Sequence, residues 1–241
     1  SGWYVLRCIH FDLNNNGRNL KLVFELKNYK PKSKIKPIKL HYILIFFIAL
    51  SFLIFPSIAN SFDKFIKIND FDKLFLQYTR QYFGPDFDWC YFKAQAIVES
   101  RLCPKARSDH GAVGVMQILP STFEELKEKN SNIQGPITDP QSNISAGIYY
   151  NSLLWAEWAK DRSFDDRLNF MFASYNAGKH TILKAQKIAM DRGLSPYLWR
   201  SIAKTLPEVN GQRSLETVLY IRRIHELRGK MKRHKERPPS M

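Results

Sequence analysis

From Phe62 onward, apolar residues recur at three- and four-residue intervals, the spacing that lines one face of an α-helix. Phe62, Phe65 and Ile66, then Phe71, Leu74, Phe75 and Tyr78, mark a first stripe that ends at Gly84 and Pro85. Asp88 is placed to cap a helix running through about Leu102, closed by Pro104. Another helix opens at Pro120, with Ser121 as cap and Glu124 as its capping-box partner three residues on. A stretch rich in Asn, Gly and Pro separates it from a long amphipathic helix from Pro140 to about Lys160, carrying apolar Ile144, Ile148, Leu153, Leu154 and Trp158. Asp165–Ala177 follows, with Gly178 as a left-handed cap. Later helices cover about Lys179–Arg192 and Leu215–Lys230. Alternating β patterns are nearly absent, so the body is mostly α.

The pattern before Phe62 is of another kind. Residues 41–60 carry no Asp, Glu, Lys or Arg, and Tyr42–Phe55 is apolar throughout apart from Ser51. A lysine-rich segment, Lys30–Lys39, precedes this run, and Ser57 and Ala59 supply small residues after it. Positive flank, short apolar centre and small residues together describe a secretory signal with cleavage after Ala59. An uncleaved membrane anchor is the alternative, and either one exports the remainder of the chain. The expected organisation is a basic extension over 1–40, a signal or anchor over 41–60, a catalytic body over 61–228 and a basic, disordered tail over 229–241. Residues 14–18 read as a turn. The extension is assigned no function and its nativeness is open, since the first methionine is Met116.

Charge is distributed in the same three parts. The formal net charge is +15, yet residues 60–221 hold twenty Lys/Arg against eighteen acids. The basicity belongs to the two ends, which argues against a nucleic-acid partner for the body. The basic tail from Arg222 reads as a solvated helix end that frays. Cys8, Cys90 and Cys103 make no metal-ligand spacing. Along one helix, Cys90 and Cys103 would stand about 20 Å apart, beyond disulfide reach, so both are expected as buried thiols. No metal and no cofactor is called for.

One residue stands out chemically. Glu99 lies in a helical run that is otherwise apolar around it, among Ala96, Ile97 and Val98. Burial there would raise its pKa, so that it holds a proton near neutral pH and can give it to a leaving oxygen. Residues 108–120 follow, rich in glycine and small side chains and suited to wrapping a ligand closely.

Four separated segments combine with this acid: Glu99–Ser100; Ser108, Gly111, Ala112, Gly114, Met116 and Gln117; Ser174–Gly178; and Glu216, Thr217 and Tyr220. In this order and spacing they resemble the catalytic domain of soluble lytic transglycosylases, with its goose-type lysozyme fold. The resemblance covers about residues 70–228 and includes Asp139, Pro140, Asn143, Ile144, Ala146 and Gly147 as a helix opening. Val115, Leu119 and Ser174 depart from the family's usual residues without removing a group the chemistry requires.

The resemblance implies cleavage of the β-1,4 bond between N-acetylmuramic acid and N-acetylglucosamine in peptidoglycan. Glu99 would act first as acid and then as base, closing a 1,6-anhydro ring. Ordinary glycosidases need two carboxyl groups; a substrate acetamide serving as internal nucleophile would make the second unnecessary. Ser108 would bond the muramic acid, or else simply form a turn. Gly111 and Gly114 would let backbone approach the sugar, Met116 and Gln117 would line the groove, and Tyr175 would bond near Glu99 and position the sugar. Asn176 would bind substrate or bond a helix end, and Glu216 would act near the cleft. Asp109 and His110 are not read as a catalytic pair, and Tyr149, Tyr150, Trp155 and Trp158 are read as core. Partners implied are glycan strands, a membrane through residues 41–60, and a secretion or conjugation apparatus, with periplasmic exposure. A lysozyme-type hydrolase and a non-catalytic wall-binding scaffold are the competing readings.

Overall fold

The computed structural model describes residues 4–13, 20–28 and 62–236. The chain divides into two units, Ser1–Phe55 and Pro56–Met241. In the first, β1 (Tyr4–Leu13) pairs antiparallel with β2 (Leu20–Asn28), with an irregularity between Leu6 and Cys8. The predicted turn at 14–18 and the apolar segment at 41–60 lie outside the described residues. No helix among those described is long and apolar enough to cross a membrane.

The second unit is built of helices: α1 (Asp63–Ile66), α2 (Asp72–Phe83), α3 (Cys90–Ser100), α4 (Pro120–Lys129), α5 (Pro140–Glu157), α6 (Phe164–Ala177), α7 (Lys179–Asp191), α8 (Trp199–Asn210) and α9 (Arg213–Glu236). Every residue of α3 from Cys90 to Ile97 is buried, so this helix is wrapped by the others instead of lying on them. Asp88 starts it by accepting the backbone N–H of Cys90 at 3.0 Å. Even Lys93 is only 2% exposed, its ammonium held by Asp72 at 2.7 Å and by the Ile66 carbonyl at 3.1 Å. Phe75 of α2, Ile144 and Ile148 of α5 and Leu168, Phe170, Met171, Phe172 and Ala173 of α6 fill the core around it.

Several local expectations are corrected. Ser121 does not cap α4: Pro120 occupies the first helical position, where its missing N–H costs nothing, and Leu119 is the cap. Leu153 lies on the exposed face of α5. Gly178, at φ 86° and ψ 138°, is no left-handed cap, because it ends α6 and opens α7 in one residue. Cys103 is exposed, so only Cys90 of these two is buried. The C-terminal helix does not fray from Arg222. Ile224, Leu227 and Met231 are buried, and Arg228 and Lys230 pair with Asp88 and Asp63, each at 2.7 Å. Basic residues there extend a packed helix to Glu236, because their apolar neighbours recur at helical spacing.

A helix absent from the sequence reading, α8, sits against α7, where Thr205 Oγ1 donates to the Ala185 carbonyl at 2.8 Å. Pro207 falls inside α8 but points outward, so the hydrogen bond it forgoes faces solvent.

Candidate active site

Glu99 occupies the last turn of α3. The helix stops one residue later because Arg101 and Leu102 both adopt positive φ, 58° and 61°. Ser100 fastens this end to the next segment, donating to the Val115 carbonyl at 2.7 Å and accepting the Cys103 N–H at 3.2 Å. Burial drives the Glu99 carboxyl up from 4.5 to about 7, against the pull of one hydrogen bond from Tyr220. That bond, O–H to Oε1 at 2.5 Å, comes from the buried face of α9. Among the described residues no charged side chain contributes to the shift, so desolvation sets it.

The 106–118 segment folds as two small back-to-back turns, with bridges between Arg107 and Val113 and between Val113 and Ile118. Its anchor is Asn143 of α5, wholly buried. The Asn143 amide oxygen accepts the Met116 N–H at 2.7 Å, and its nitrogen donates to the carbonyls of Val113 and Ile137 at 3.0 and 2.9 Å. Gly114 makes this anchor possible. It sits at φ 85°, and a Cβ there would meet the Asn143 nitrogen at 2.4 Å. The close approach that Gly114 allows is therefore to Asn143.

The other expected residues fall into two groups. Tyr175 reaches the centre: its hydroxyl donates to the Met116 carbonyl at 2.8 Å. Burial, and then the charge of Glu99, push its pKa well above the usual tyrosine value. Gln117 is half-buried, and its amide donates to the carbonyls of Ala106 and Gly114 at 3.2 and 2.9 Å, stiffening the loop. Asn176, exposed at the end of α6, accepts from Thr217 at 2.8 Å and so ties α6 to α9. Ser108 is exposed, and its hydroxyl accepts the Ala112 N–H at 3.0 Å, the turn-forming arrangement. Gly111 is exposed too.

Glu216 stands exposed in the first turn of α9, suited to the positive end of that helix. Met116 corrects its expectation outright. Its side chain is 0% exposed and fills the space that Gly147 leaves on α5, where a Cβ would meet it at 2.7 Å. It contributes its backbone to the site and its side chain to the core. Trp158 is likewise core, with its indole N–H on the Ser174 hydroxyl at 2.9 Å.

The sequence reading missed the roles of Tyr220, Gln95, Asn143 and Asn151. Each is a polar group at a position where helical periodicity puts a residue on a buried face, and that mismatch was the available signal.

A mostly helical body carries one desolvated acid at the end of its central helix, faced by buried Tyr220 and half-buried Tyr175. Residues 84–197 match the family model described as the transglycosylase SLT domain. Membrane-bound lytic murein transglycosylase F of Pasteurella multocida is 32% identical over 122 residues, 51% of this chain and 24% of that protein. The protein of the same name from Desulfosudis oleivorans is 32% identical over 149 residues, 57% of this chain and 32% of that one. The fold is similar to that of the 70 kDa soluble lytic transglycosylase of Escherichia coli, with a TM-score of 0.54 and 23% identity over 70% of this chain and 25% of that one. The chain thus spans about a quarter to a third of the length of these relatives.

Proposed function

We propose that this protein is a lytic transglycosylase that cleaves the β-1,4 bond between N-acetylmuramic acid and N-acetylglucosamine in peptidoglycan, with Glu99 as its single acid and base. The observation that supports this reading is a carboxyl group whose pKa burial raises to about 7, with no second carboxylate among the described residues acting on it. Glu99 gives its proton to the bridging oxygen as the bond from C1 breaks, and the neighbouring acetamide of the substrate supports the positive charge that develops at C1. The carboxylate then takes the proton of the C6 hydroxyl while that oxygen closes on C1. The product is a 1,6-anhydro ring, and Glu99 ends protonated as it began. Tyr220 steadies the ionised form between the two steps through its 2.5 Å bond.

Substrate contacts fall to the surface around this acid. Ser108, Gln117, Tyr175, Asn176 and Glu216 are the side chains we assign to it. Gly111 leaves backbone free to approach the glycan, whereas Gly114 and Met116 serve by holding the loop's shape. The relatives named membrane-bound suit an exported enzyme that faces the cell wall, associated with the membrane through residues 41–60. Service to a secretion or conjugation apparatus is the specialised role we assign it.

Mass analysis of murein digested by the full chain tests the chemistry. The expected products are anhydro-muropeptides, 18 Da lighter than their hydrated counterparts because no water is added across the bond. Reducing ends in their place would make the protein a hydrolase, and murein binding without turnover would make it a scaffold.

A further inference from the structure

Two buried amides stand behind the acid, and neither takes part in the chemistry just described. Gln95, one turn before Glu99 on α3, and Asn151 of α5 are both 0% exposed. The Asn151 nitrogen donates to the Gly147 carbonyl at 2.9 Å and to Gln95 Oε1 at 2.8 Å. The Gln95 nitrogen donates to the Tyr220 hydroxyl at 3.0 Å, and Tyr220 donates to Glu99. This chain of bonds runs one way. A backbone carbonyl can only accept, so Gly147 forces the Asn151 nitrogen toward itself and toward Gln95. Gln95 must then present its oxygen to Asn151 and its nitrogen to Tyr220. With its oxygen already accepting, the Tyr220 hydroxyl has its own proton left for the carboxylate.

The arrangement leaves a mark elsewhere: the Asn151 amide oxygen is buried without a hydrogen-bond partner. A packing role alone would favour an apolar residue at that place, since an orphaned buried acceptor is destabilising.

We propose that Gln95 and Asn151 are positioning residues that fix the direction of the Tyr220 hydroxyl, so that its proton is always directed at Glu99. The inference rests on Glu99 being the working acid. The titratable groups facing Glu99 are Tyr220 from α9 and Tyr175 from α6, with Tyr150 of α5 behind Tyr175. Without the Gln95 N–H, the Tyr220 hydroxyl is less polarised and free to turn, and the ionised carboxyl loses part of its support.

The test is a carbon-13 NMR titration of the Glu99 carboxyl in the full chain, run on wild type, Gln95→Met and Asn151→Leu. The Glu99 signal is identified by its loss in Glu99→Gln. In both variants the midpoint should rise above the wild-type value, about 7, by roughly half a unit. Asn151→Leu exchanges the orphaned Asn151 oxygen for a Gln95 oxygen that has lost its donor, so its melting temperature should change little. Unchanged midpoints would overturn the proposal, as would a loss of stability unaccompanied by any shift. If Gln95→Met does not fold, Asn151→Leu decides alone. The titration needs no substrate, so a wild type that releases no muropeptides would defeat the functional reading while the relay is still judged on its own result.

Discussion

Replacing Glu99 with Gln should abolish release of muropeptides while leaving the domain folded. The amide matches the carboxyl in size and its oxygen can still accept the Tyr220 proton, but its own N–H protons are far too weakly acidic to transfer. General acid–base action contributes about 10²–10⁴-fold to rate. In the reaction proposed above one group performs both halves, so the loss should sit at or beyond the upper end of that range. The same variant carries a second signature in stability. The folded pKa of Glu99 is raised from 4.5 to about 7, so the folded state favours the protonated acid. That advantage is fully present below about pH 4.5 and is lost as pH rises through about 7. At pH 8 the wild type buries an ionised carboxylate and the glutamine variant does not. Glu99→Gln should therefore unfold later than wild type at pH 8, by up to about 3 kcal/mol, with little difference at pH 4. Chemical denaturation at the two pH values checks this. A group retained against stability is expected where function demands it.

The largest stability effect expected belongs to Asn143→Ala. That side chain holds three backbone groups, the N–H of Met116 and the carbonyls of Val113 and Ile137. Truncation leaves the Met116 N–H and the Ile137 carbonyl without this partner, at about 1–3 kcal/mol each, for a total on the order of 2–6 kcal/mol, while the Val113 carbonyl keeps the Ile118 N–H. A domain of this size is stable by only about 5–15 kcal/mol, so a large fall in melting temperature should follow. Activity should fall as well, since the Met116 carbonyl that receives Tyr175 sits on the segment Asn143 holds. Asn143→Asp keeps one acceptor for Met116 but loses both donated bonds, and should fall between Ala and wild type in thermal unfolding.

Much of this architecture was legible in the chain. The helical stripes place α2 through α7 to within a few residues, and the polar break at Glu99 in an apolar helix marks the carboxyl whose pKa burial raises. What could not be read were features settled by tertiary contact. Pro207 resembles a helix breaker, yet on an exposed face in the last turn its missing N–H is harmless, so α8 persists. The lysines and arginines after Arg222 look solvated because sequence does not reveal that Asp63 and Asp88 wait for two of them. Met116 sits in a ligand-like motif, but the missing side chain at Gly147, distant in sequence, draws it inward. Ser108 and Glu216 lie at the surface with nothing in the fold beyond local structure to fix a role, and Asn176 is taken up in tying α6 to α9, whereas Tyr220 bonds the Glu99 carboxyl directly at 2.5 Å.

If cleavage depends on one desolvated carboxyl being protonated, the dependence of kcat/KM on pH for murein digestion follows the titration of Glu99. The rate should be level in mildly acidic solution and fall about tenfold per unit once pH exceeds about 7, with the break moving upward in Tyr220→Phe as Glu99 loses its donor. A rate that stays constant from pH 6 to 9, or climbs with pH, would contradict that dependence.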